Sequence, residues 1–180
     1  MSTLEFSQLL GNYGEFVGAI AIVVTLIYLA VQLKQNTASV KASAYQEWVA
    51  ANIELNMTMA QPLQSEAIAT GSYDPGSLTQ ESSLAFAMWH MSLMQLTQAT
   101  EYLRRTGSLD DDLAATEVNR AAAILSMPGV RQWWDAGART QLTPQFVKLI
   151  ESTRSNMTEW KWEQGKGFAS VDRDGQPDEA

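Results

Sequence analysis

The sequence predicts an all-α protein: an N-terminal transmembrane helix that continues into a long helix, followed by a small bundle of four or five helices. Three observations predict it. Phe16 to Leu33 is an 18-residue run without a charge. No Gly or Pro interrupts the chain between Gly18 and Pro62. Further on, apolar residues recur at helical spacing between marked starts and stops, with no strand-like alternation and no internal repeat. The expected organisation is an N-terminal tail over 1–11, the transmembrane helix over 12–36, a helical bundle domain over 37–158 and a flexible acidic tail over 159–180.

The first element rests on length and transfer energy. As a helix, Phe16–Leu33 is about 27 Å long, close to the roughly 30 Å of a bilayer's hydrocarbon core. Its eleven Phe, Val, Ile and Leu residues each favour insertion by about 0.3–0.6 kcal/mol, which outweighs Gly18, Thr25, Tyr28 and Gln32. A cleaved secretory signal would need a basic start, a shorter apolar core and small residues at its end. Here the first 33 residues hold no Lys or Arg, and the run ends Ala30-Val31-Gln32-Leu33. The segment therefore reads as a retained span, with a buried core helix as the competing explanation. Asn12 and Glu15 have capping-box spacing, so the helix is expected to start near Asn12. Lys34 and Lys41 follow the span whereas Glu5 and Glu15 precede it, which places the C-terminal part in the cytoplasm.

One face of the span is built from small and hydrogen-bonding residues. Gly14, Gly18, Ala21 and Thr25 recur at steps of four and three, and the seam continues through Tyr28 and Gln32. Small residues let two helices approach closely, and Thr25 or Gln32 would hydrogen-bond across the contact. This is the expected helix-packing face in the membrane, fitted to a protein partner or to self-association.

Past the span the same helix is expected to run to about Ala60, with Tyr45, Trp48, Leu55 and Met59 on one stripe. Residues 62–77, which hold Pro62, Gly71 and "YDPGS", read as the main connection. Ser77 and Gln80 have capping-box spacing before a helix from about Leu78 to Arg105, closed by Gly107. Its middle, "LAFAMWHMSLMQL", is apolar on nearly every face and should be central to the bundle, although too short and too polar for a second span. Asp110–Asp112 suit the start of a further helix to about Ser126, and Pro128-Gly129 breaks it. A short helix carrying Val130, Trp133 and Trp134 follows, and Thr143-Pro144 reads as cap and first turn of a last helix to about Asn156.

"GEFVGAIAIVVTLIYLAVQLKQNT" near the start and "MPGVRQWWDAGARTQLTPQFVKLIE" near the end, separated by a helical middle, resemble an uncharacterised family of small bacterial single-span membrane proteins. The resemblance covers roughly residues 9–151. It implies a bacterial origin, an N-terminal anchor and a helical cytoplasmic part. Combined with the orientation read from Lys34 and Lys41, the expected location is the inner membrane, with the N-terminus periplasmic. The resemblance implies no activity and no catalytic residues.

Composition removes several function classes. Without cysteine there is no disulfide, thiolate nucleophile or Cys-based metal site. With 20 acidic against 12 basic residues, and no Lys or Arg between Lys41 and Arg104, the chain offers no basic face for nucleic acid. His90, the lone histidine, has no carboxylate at helical ligand spacing and no nucleophile elbow near it, so it reads as a core or boundary residue. Met88, Met91 and Met94 could line an adaptable groove, but core packing is the simpler reading. Together with Trp48, Trp133 and Trp134 they form the possible partner or core surface. No cofactor, metal or catalytic set is expected. The expected partners are the lipid bilayer and a protein, and the expected role is a membrane-anchored helical interaction module or accessory subunit. A single-span sensor, and a membrane-anchored small-ligand binder or enzyme, are the alternatives.

Overall fold

A computed structural model describes residues 3–157, 160–163 and 167–170. The chain forms two compact units that divide after Ser43. Its body is all-α, as the pattern requires: α1 (Thr3–Met59), α2 (Pro62–Gly71), α3 (Gln80–Arg105), α4 (Asp111–Leu125), α5 (Pro128–Asp135) and α6 (Pro144–Asn156).

The first unit is the N-terminal part of α1. The helix begins at Thr3, well before Asn12, so the expected tail over 1–11 is helical from its third residue. The capping-box spacing at Asn12 is overridden because good helix formers precede it and nothing stops the helix from propagating backwards. Side chains along the apolar run are exposed on every face of the helix, Val24 by 59% among them. The segment is long and apolar enough to cross a membrane, and none of its apolar window is buried within the chain.

The second unit is built around α3. Phe86, Trp89, His90, Met91, Leu93, Met94, Thr97 and Thr100 are all buried on it, so neighbours cover most of its circumference. The main core joins Phe86, Met91 and Met94 of α3 to Val118, Ala121 and Leu125 of α4, Val130 and Trp134 of α5, and Phe146 and Ile150 of α6. Each large side chain buried in this way stabilises the fold by about 1.5–3 kcal/mol. A smaller cluster sets Leu55, near the end of α1, against Trp89 and Leu93. Trp48 Nε1 donates to Thr100 Oγ1 at 3.1 Å and Trp89 Nε1 donates to the Leu55 carbonyl at 3.3 Å, fastening the end of α1 to α3. Of the expected stripe, Trp48 and Leu55 turn inward while Tyr45 and Met59 are exposed.

Three local expectations need correction. Residues 62–71 are helical, because Pro62 both stops α1 and, at the first position of α2, starts the next helix with the dihedral it already has. The N-cap of α3 is Thr79, whose Oγ1 accepts from the Ser82 backbone N–H at 3.1 Å, in place of Ser77. Within the expected flexible tail, Trp160–Glu163 (β1) and Gly167–Ser170 (β2) pair antiparallel, with Trp162 opposite Phe168. Trp160-Lys161-Trp162-Glu163 alternates apolar and polar, but over the shortest run at which that signal is read; residues 159, 164–166 and 171–180 of that expected tail lie outside the described residues.

Other boundaries follow from their caps. Asp110 Oδ1 accepts from the Asp112 N–H at 3.0 Å and starts α4. Gly107, at φ 71°, closes α3: its N–H donates to the Arg104 carbonyl at 2.9 Å and the Ser108 N–H reaches the Leu103 carbonyl at 2.8 Å, the two bonds of a Schellman motif. Gly129 does something that no turn statistic foretells. Its N–H donates to the Ser72 carbonyl at 2.8 Å, and a Cβ there would fall 1.8 Å from the Gly71 carbonyl oxygen. The start of α5 and the end of α2 touch backbone to backbone.

Candidate functional site

The seam on α1 is laid out as the spacing requires. A Cβ built on Gly14 or Gly18 meets nothing within 4 Å, so both positions leave room for another helix. Its polar members are engaged along the same helix: Thr25 Oγ1 donates to the Ala21 carbonyl at 2.8 Å, and Gln32 Nε2 donates to the Tyr28 hydroxyl at 2.6 Å. These local bonds use the Thr25 hydroxyl proton and one amide N–H of Gln32, so a second helix would compete with them for those donors.

The other concentration of chemistry lies in the second unit, at a cavity of about 510 Å³ bounded by Ile68 and Ser72, Trp89 and His90 of α3, and Asn119 and Arg120 of α4. That volume is in the range of small-molecule sites. His90 is 0% exposed. Its ring lies 4.2 Å from that of Phe86, 4.9 Å edge-on from Trp89 and 5.7 Å from Trp133, centroid to centroid. Burial pushes its pKa down from 6.5 to about 4, against a smaller upward pull from the bond to the Phe86 carbonyl. The imidazole is therefore neutral at neutral pH.

The tautomer follows from the partner. Nδ1 lies 2.8 Å from the Phe86 carbonyl oxygen, and a carbonyl oxygen only accepts, so Nδ1 carries the proton. Nε2 is then a bare acceptor. It is buried and meets no hydrogen-bond partner among the described residues. Arg120, on the same cavity, is held by Glu117 and by Asn52 Oδ1 at 2.8 Å through Nη2, while its buried Nε–H likewise meets no partner among the described residues.

The sequence-predicted surface residues separate in space. Met91, Met94 and Trp134 are in the main core, Trp133 packs partly buried against it, and Trp48 is half-buried on α3. Met88 is 59% exposed. Steps of three residues turn a helix by 300° each, so the three methionines fan over about 120° and Met88 falls beyond the edge of the buried face. Trp134 Nε1 donates to Glu151 Oε1 at 2.8 Å, and Arg131 and Arg154 pair with the same carboxylate, which fixes α5 on α6. Burial would raise the Glu151 pKa, but the hydrogen bonds from Arg131 and Trp134 and the two guanidinium charges hold it below the ordinary carboxylate value.

Sequence reasoning weighed His90 alone and missed its surroundings. Ser72 and Arg120 are 18 and 30 positions away along the chain. The one available signal was the aromatic density of "FAMWHM" combined with a single polar residue at its centre. No group of three His, Asp or Glu among the described residues is placed to hold a metal ion. Comparisons with family models, with curated proteins and with solved structures return no match.

Proposed function

We propose that this chain is a single-span protein of the bacterial inner membrane, with its N-terminus periplasmic, whose helical domain serves in the cytoplasm as an interaction module or accessory subunit of a membrane assembly, without catalysis of its own. The observation that carries the reading is the exposure of the apolar helix: Phe16, Val24, Ile27 and their neighbours are uncovered on all faces of α1. An exposed apolar surface of that size on a soluble chain is a liability, whereas lipid covers it at no cost. A core helix would bury this window, and none of it is buried.

The protein-partner part rests on the seam. Open space over Gly14 and Gly18 on one face of the span suits a second helix, a copy of this one or that of another subunit. Alkaline carbonate extraction of cell membranes tests the anchor: the full chain should stay in the pellet, and its release to the supernatant would overturn the reading. A two-hybrid reporter of helix association in membranes tests the seam, where Gly14→Ile with Gly18→Ile should abolish the signal. An unchanged signal removes the seam from the proposal and leaves the anchor standing.

A further inference from the structure

We infer that the cavity beside His90 is a binding site for an uncharged, largely apolar small molecule that carries a hydrogen-bond donor, such as an alcohol, and that His90 Nε2 accepts from it. Three features of the site carry this. The walls from Ile68, Trp89, Ile124 and Met127 are apolar, and the cavity is of ligand size. Two residues of its wall, His90 and Arg120, each carry a buried polar atom, an Nε2 acceptor and an Nε–H donor, that meets no partner among the described residues. A buried polar atom without a partner costs about 1–3 kcal/mol, so a molecule that satisfies it recovers that cost on binding. A hydroxyl supplies the proton that the Nε2 acceptor lacks.

Charge decides the class. No Asp or Glu lines the cavity, so a cation would be buried without a counterion. An anion gains little from Arg120, whose charge Glu117 already neutralises, and it brings a lone pair rather than a proton towards Nε2. The neutral imidazole is likewise no counterion. An uncharged donor is what remains, and the site discriminates against both ions of the same chain length.

The lone histidine makes the test direct, because selective labelling with ¹⁵N-histidine reports His90 only. The full chain, placed in lipid nanodiscs, would be titrated with 1-hexanol, hexanoate and hexylammonium. The free protein should show the proton on Nδ1. Hexanol should then shift the Nε2 resonance saturably, and the two ions should need at least about tenfold higher free concentration for the same shift. Filling the cavity with Ala123→Phe should abolish the hexanol response. A proton found on Nε2 in the free protein, no shift with hexanol, or equal shifts with all three probes would each overturn the proposal. If Ala123→Phe does not fold, the three titrations of the unaltered chain decide the matter.

Discussion

Phe16–Leu33 of α1 and the middle of α3 are both long apolar helical stretches, and they meet opposite fates. The first exposes its apolar side chains on all faces, and its polar residues bond only along their own helix. The second is enclosed by the other five helices, α1 contributing its C-terminal end, and its polar residues reach beyond α3: Thr100 accepts from Trp48, and Trp89 donates to Leu55. The difference teaches that apolarity alone states only that a helix avoids water. What it packs against is written in the neighbouring segments. Around α3 the chain supplies complementary faces, whereas the residues flanking Phe16–Leu33 are exposed themselves.

The comparison breaks most severely if charges are placed in the first stretch. Val23→Arg with Ile27→Arg should cost about 6–8 kcal/mol of insertion. Carbonate extraction should then release the chain, while far-UV circular dichroism of the second unit stays intact; retention of the double variant in the pellet would contradict a lipid-facing helix.

A smaller change breaks the second region. Gly129→Ala puts a methyl into the Gly71 carbonyl and disturbs the bond to Ser72, which should cost about 4 kcal/mol as overpacking plus a lost hydrogen bond. Denaturant titration of the full chain in micelles measures it. A loss under about 1 kcal/mol would show that α2 and α5 can move apart freely.

Acid should also act on the second region. The unfolded chain takes up a proton at His90 near pH 6.5, whereas the folded one resists until about pH 4. Stability is therefore full above pH 6.5 and falls between those values, by roughly 3 kcal/mol in all. Glu101, held below 4.5 chiefly by its hydrogen bond from Arg104, and Glu151 contribute stability that is present above 4.5 and lost only below it. The two windows separate. In His90→Phe the slope between pH 6.5 and pH 4.5 should vanish while the steeper loss below pH 4.5 persists; an unchanged upper slope would place the titration elsewhere.

The mildest probe is Gly107→Ala. Its positive φ costs an L side chain about 1 kcal/mol, and space around it is open, so only that backbone cost should appear in the unfolding free energy.

Where sequence and structure agree, the information is local. Asp110 and Gly107 each mark a helix end through an atom a few residues away, and Pro144 starts α6 through its own fixed dihedral. The Thr143 hydroxyl, expected to cap α6, donates to Gln98 Oε1 of α3 at 2.9 Å in place of that local bond. Where they part, a distant segment decides. Pro62 marks a break in either reading, but that 62–71 is a helix depends on Ala67 and Gly71 finding Phe86 and the start of α5. Met88 and Met91 are chemically alike, and only the set of neighbours puts one in solvent and the other in the core. The cavity was illegible for the same reason. It consists of residues from separate helices whose spacing in sequence carries no period.

The sequence by itself determined that the chain is helical, that its apolar N-terminal helix is long enough to cross a membrane, and that cysteine chemistry is absent. These depend on single residues and on periods of a few residues, which act at short range. Only the tertiary structure decided that Gly129 is a backbone contact, that His90 is a neutral acceptor and that a cavity lies beside it. Each of those depends on atoms brought together by packing, and packing follows from how whole faces fit.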